Sequence, residues 1–159
     1  VAPIFKENGE VQYYLPEGTW TNFFTGEEKE GCGWFTEKHS YLSIPLMVKE
    51  NSIVALGAHD DKPDYDYGDG VELRIYALKD GKTAEAIAYG MDQAEELSVF
   101  AKREGSQIHI TVKTDKPYTI RLVNVTAASV SEGELQHDGN DTVLQGRSFC
   151  HEERYTVTL

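Results

Sequence analysis

Five aspartates crowd one short stretch of this chain, at Asp60, Asp61, Asp64, Asp66 and Asp69. Two carboxylates held about 5 to 9.5 Å apart around a sugar are the machinery of glycoside hydrolysis. The surroundings argue against that use. His59-Asp-Asp-Lys-Pro-Asp-Tyr-Asp-Tyr-Gly-Asp-Gly70 is polar and turn-rich, as a solvated linker is, whereas catalytic pairs need rigid mounts. A calcium loop fails as well, because Asp64-Tyr-Asp-Tyr-Gly68 has no third oxygen ligand before its glycine and no closing glutamate.

The other reactive side chains are dispersed. His39, His59, His109, His137 and His151 are scattered, and His109 alternates outward in a strand pattern. No serine or cysteine stands in a nucleophile elbow, and no glycine-rich phosphate loop occurs. Cys32 and Cys150 lack the neighbours of a zinc site and are expected to be reduced structural thiols, not a disulfide. The sequons at Asn124 and Asn140 are short patterns that carry no weight alone. No catalytic, cofactor-binding or metal-binding residue is therefore assigned, and no cofactor is expected.

The aromatic residues leave two chemistries open. Trp20, Trp34 and the nine tyrosines could stack on sugar rings. Alternatively they are core or domain-interface residues, which the clustering of Trp20, Phe23 and Phe24 within the stretch 13–26 favours. That stretch reads as a strand ending at Leu15, a turn at Pro16 to Gly18, a second aromatic strand and a turn at Gly26. It carries more aromatic surface than a short hairpin can bury by itself.

Around it the pattern is one of short strands. Residues 1–5 and 10–15 form an expected hairpin bent at Asn8-Gly9, and further strands are expected near 34–36, 41–48 and 53–56, with Pro45 marking an edge or bulge. Beyond the acidic stretch, Val71, Leu73, Ile75 and Ala77 alternate onto one face. Asp80-Gly81 marks an expected hairpin turn, with 83–89 as the return strand; 96–102 and 108–113 form a second hairpin, and 118–125, 143–144 and 155–159 supply the last strands. Alanine and glutamate enrich 84–104, but Gly90 and the Leu97, Val99, Ala101 alternation favour strand over helix. The expected fold is all-β, two small antiparallel β-sandwich domains in tandem: 1–62, a linker at 63–70, and 71–159.

Composition narrows the partners. With 27 Asp+Glu against 15 Lys+Arg, the formal net charge of −12 disfavours nucleic acid and anionic membranes. No apolar run is long enough to span a bilayer, and no leader is evident, so a soluble, cytoplasmic protein is expected. The apolar opening Val1-Ala-Pro-Ile-Phe5 reads as the middle of a buried strand, which suggests a piece of a longer protein.

Three ordered motifs carry a resemblance: Val1-Ala-Pro-Ile-Phe5, the run from Tyr14 to Gly26, and Leu42-Ser-Ile-Pro-Leu-Met-Val-Lys-Glu-Asn-Ser-Ile53. Together they closely resemble the segment that follows the catalytic barrel in glycoside hydrolase family 31, which includes α-glucosidases and α-xylosidases. The continuation from Leu56 to Tyr65 looks like the linker of the bacterial α-xylosidase branch. The resemblance implies a proximal C-terminal β-domain followed by a distal β-sandwich, non-catalytic portions of a retaining α-glycosidase. The family's nucleophile and acid/base lie on the barrel and match no residue here. Implied partners are the catalytic barrel of the same polypeptide and, left open, homo-oligomer contacts and a glycan.

Overall fold

The computed structural model describes residues 1–146 and 151–159. Cys150, one of the two expected reduced thiols, lies outside the described residues; Cys32 is free and exposed. Every regular element among the described residues is a β-strand. The chain forms two compact units, Val1–Glu50 and Asn51–Leu159.

The first unit contains β1 (Glu10–Leu15), β2 (Thr19–Asn22), β3 (Glu28–Glu30), β4 (Gly33–Lys38) and β5 (Met47–Lys49). β1 pairs antiparallel with β4, and β2 lies between β3 and β5. The expected β1–β2 hairpin therefore does not form. Gly18, at φ +124°, turns the chain out of one sheet and into the other, where the Thr19 amide donates to Glu50 Oε2 at 3.0 Å. A side chain on Gly31 would collide with the Pro16 carbonyl, so the two segments approach closely there.

Residues 1–5 also depart from expectation, since they form no strand. Gly9 (φ +76°) does close a turn onto Lys6, but its carbonyl accepts from the His39 amide at 2.9 Å, which commits β1 to β4. The 41–48 segment keeps only Met47 and Val48 in a strand, because buried Pro45 has no amide to pair; its carbonyl instead receives the Ala2 amide at 3.0 Å.

Val11, Tyr13 and Leu15 form the core of this unit, with Trp20, Phe35 and Met47 partly buried against them. Beside that core Glu37 accepts from Tyr13 Oη at 2.7 Å, from His39 Nε2 at 2.8 Å and from Lys29. Burial opposes its ionisation, yet the hydrogen bonds from Lys29, Tyr13 and His39 prevail and hold the carboxyl at about 2. Burial, and then the bond to Glu37, push the Tyr13 phenol up.

The second unit is a sandwich. One sheet orders β13 (Leu135–Asp138), β14 (Asp141–Gln145), β11 (Tyr118–Val123), β7 (Val71–Tyr76) and β6 (Ser52–Leu56). The other orders β12 (Ser129–Val130), β15 (Glu153–Thr158), β10 (Gln107–Lys113), β9 (Glu95–Glu104) and β8 (Thr83–Tyr89). β7 and β11 pair parallel, a departure from an all-antiparallel plan. Asp80-Gly81 closes no hairpin: β7 and β8 belong to different sheets, and the turn passes the chain between them. β8 and β9 do pair, confirming strand over helix in 84–104.

The alternation works as expected at Val71, Leu73 and Ile75 but stops there, since Ala77 lies past β7 at φ +41° and Tyr76 is itself buried. Leu73, Leu97, Ala101, Ile120 and Val157 are fully buried between the sheets. Two polar devices join them. The hydroxyls of Tyr118 on β11 and Tyr155 on β15 meet at 2.9 Å across the sandwich, and both donate to Glu153. On the outer face, Arg121 of β11 reaches Asp138 and Asp141 at 2.9 and 3.0 Å and Glu72 at 3.3 Å, so one guanidinium ties four strands.

The sequence placed 53–56 at the end of the first domain and 63–70 as a linker. In the structure β6 hydrogen-bonds to β7 with Ile53 opposite Ile75, and the residues between them form a loop on the second unit. The apolar Ile53 needs the larger core, which the first unit cannot offer.

Two measurements test this account. Leu73→Ala should cost about 2–5 kcal/mol of stability in urea unfolding, whereas Leu42→Ala at an exposed position should stay within about 0.5 kcal/mol. Glu37 has a depressed pKa, so its contribution is full above its ordinary 4.5 and is lost as pH falls through about 2. Glu37→Gln should therefore be less stable by about 2 kcal/mol at pH 7, after allowance for the solvent that still reaches this group. Unfolding at pH 7, 4 and 2.5 should show that gap narrowing progressively below pH 4.5.

Candidate interaction surface

Period-two alternation gives the β1–β4 sheet two different faces. Val11, Tyr13 and Leu15 point inward, with the Phe35 ring stacked 6.0 Å from Tyr13. Tyr14 and Trp34, directly opposite each other in the register, point outward. Their rings meet edge to face at 5.6 Å, and they are 49% and 68% exposed. A cross-strand aromatic pair of this kind is rigid and half-desolvated before anything binds it.

The aromatics of 13–26 separate in the fold. Trp20 is half-buried against the core, its Nε1 donating to the Pro16 carbonyl at 2.8 Å. Phe23 is half-buried, whereas Phe24 is 66% exposed on the turn after β2. That turn is fixed by Asn22 Oδ1, which accepts from the Phe24 and Thr25 amides at 2.9 and 3.0 Å. Phe5, Tyr41 and Leu42 are almost wholly exposed and line a cleft of about 860 Å³ with His39. Phe5, Phe24, Trp34, Tyr41 and Leu42 together leave a large exposed apolar surface on this unit of fifty residues.

In the second unit the five aspartates lie on the loop between β6 and β7. The hydrogen bond from Lys116 holds the Asp66 carboxyl below its ordinary range. Lys116 sits between Asp66 at 2.5 Å and Glu96 at 2.8 Å. Asp61 lies 3.8 Å from His59, and Asp60, Asp64 and Asp69 are exposed. The histidines stay apart: His39 joins Glu37, His109 faces Thr156 at 3.2 Å, His137 is exposed on β13 and His151 pairs with Asp115. Among the described residues, no group of three or more His, Cys, Asp or Glu side chains could hold a metal.

Sequence reasoning missed the Glu37 cluster, whose members meet only through strand pairing. It also missed two clefts on either side of Tyr65 and Tyr67, although glycines 57 and 68 flanking a Tyr-x-Tyr motif were a usable signal. No helix among the described residues is long and apolar enough to cross a membrane.

Comparison with known proteins also divides the chain in two, although the first match extends into β6. Residues 66–159 match the family described as alpha-xylosidase YicI, C-terminal domain, and residues 1–54 match the glycosyl hydrolase family 31 C-terminal domain. Alpha-xylosidase XylQ of Lactiplantibacillus pentosus is 26% identical over 148 residues, 90% of this chain but 17% of that protein. An alpha-xylosidase of Emericella nidulans is 31% identical over 83 residues, 47% of this chain and 11% of that protein. The chain thus spans less than a fifth of these curated relatives. Among solved structures, a GH31 dextranase of Flavobacterium johnsoniae superposes with a TM-score of 0.76 at 15% identity, covering 99% of this chain and 25% of that one, which shows the shared fold. The chain belongs to the alpha-xylosidase YicI C-terminal domain family, within glycoside hydrolase family 31.

Proposed function

We propose that this chain is the non-catalytic C-terminal portion of a retaining α-glycosidase that hydrolyses terminal α-xylosyl residues, and that its first unit buttresses the catalytic barrel of the same polypeptide. The observation that carries the reading is the outward Tyr14–Trp34 pair, an ordered aromatic face in a unit whose own strands leave it uncovered. Two domains in tandem belong to the same proposal, a proximal β-domain and a distal sandwich. The chemistry is left to the barrel, where one carboxylate forms the glycosyl-enzyme intermediate and the other passes from acid to base. Subunit contacts in the parent enzyme would draw on the same exposed residues. A cytoplasmic location fits the presence of only two cysteines in 159 residues.

The test joins this chain to a family 31 barrel. The purified chain alone should release nothing from p-nitrophenyl α-xyloside or p-nitrophenyl α-glucoside. Co-expressed with the barrel of the Lactiplantibacillus pentosus relative lacking its own C-terminal domains, it should restore soluble, active enzyme. Trp34→Ala should weaken association of the two pieces by about tenfold, as loss of a central aromatic anchor does. Turnover by the pure chain, or unchanged association of the variant, refutes the buttress.

A further inference from the structure

The loop between β6 and β7 is acidic and glycine-bearing, yet its tyrosines are held in place. Tyr67 Oη donates to the Pro63 carbonyl at 2.8 Å. The Tyr65 hydroxyl lies over Gly57, where any side chain would collide with it. The two rings meet edge to face at 4.9 Å and 82°, with the His59 ring 5.1 Å beyond Tyr65. Below them, Gly68 donates its amide to Asp66 and Glu96 at 3.2 and 3.1 Å, and Lys116 bridges the same two carboxylates. The loop is thus braced within itself and fastened to the sandwich through Glu96 and Lys116.

Tyr65 and Tyr67 stand as a wall between two clefts. One, about 300 Å³, is completed by Ala55, Val71, Ile87 and Tyr89. The other, about 490 Å³, is lined by carboxylates together with Met91. Tyr89 and Met91 are 55% and 71% exposed at the mouths. We propose that these paired clefts on the second unit form a binding site for a neutral oligosaccharide, with the apolar faces of successive sugar rings against Tyr65, Tyr67 and Tyr89 and hydroxyls donating to Asp64 and Asp92.

The chemistry selects this ligand class. A pyranose offers an apolar C–H face and a rim of hydroxyls, which matches an aromatic wall beside hydrogen-bond acceptors. Anionic ligands are repelled by four nearby carboxylates in a chain of net charge −12. A cation finds the two inner carboxylates already taken by Lys116. The rings are fixed before binding, so little ordering cost falls on association. The choice of a glycan among neutral ligands rests on the reading of the parent as a glycosidase, but the site itself requires no barrel.

Titration calorimetry of the 159-residue chain with α-xylosyl-(1→6)-glucose, isomaltotriose and, as the opposing arm, tetramethylammonium tests the proposal. One of the two sugars should bind saturably with a Kd on the order of 1 mM, the affinity expected of a shallow aromatic site. Tyr89→Ala and Tyr67→Ala should each weaken binding about tenfold, while Trp34→Ala leaves it unchanged. Tyr89 is exposed, so its variant should keep the parent circular dichroism and thermal transition, which makes a loss of binding specific. Absence of saturable heat up to 20-fold above that Kd overturns the site, as does tighter binding of tetramethylammonium than of either sugar, or full binding by both tyrosine variants. None of these outcomes touches the barrel-association assay, so the two proposals fail separately.

Discussion

A two-stranded sheet has two faces, and the β1–β4 sheet can bury only one of them with the strands of its own unit. The inward face takes Val11, Tyr13 and Leu15, and the remaining short strands and partly buried Trp20, Phe35 and Met47 are spent covering it. Tyr14 and Trp34 are left outward by the geometry of alternation. A one-residue slip of register that turned them inward would expose Tyr13 and Leu15. The unit therefore depends on polar fastening around a small core, with Glu37 gathering Tyr13, Lys29 and His39, and it offers aromatic surface outward.

The second unit is under no such constraint. Among the described residues ten strands close two sheets over a shared interior, and both sheets contribute fully buried residues, among them Leu73, Ile120, Leu97 and Val157. It also attracts β6, because an apolar strand next to β7 adds Ile53 to that interior. Its buried hydroxyls are paired, Tyr118 across the sandwich with Glu153, Tyr155 with the same carboxylate and Thr142 with the Val125 carbonyl, which avoids the cost of orphaned hydroxyls in a dry core.

The acidic loop illustrates how charge composition can mislead. Five aspartates in a glycine-containing run have the profile of solvated linker. Lys116, fifty positions away in sequence from Asp66, and Glu96 turn part of that run into a fastened surface carrying two tyrosines. The same cation pairs with Asp66, so that carboxylate is not a free one.

The sequence by itself determined the all-β class, nearly every long strand of the second unit, and the family, through motifs at 1–5, 14–26 and 42–53. Period-two alternation is a local property, so Leu73, Ile75, Leu97, Val99 and Ala101 were legible as inward residues without knowledge of their partners. Strand partners were not. β1 chose β4 over both its neighbours, β7 chose β11 in parallel register, and β6 joined the larger unit. Short strands such as β12 and β13 carry little pattern and exist because long neighbours offer them an edge. Tertiary structure alone also decided which aromatics are exposed and how the Glu37 and Lys116 clusters assemble. Those outcomes depend on non-local hydrogen bonding and packing, which no window of local sequence encodes.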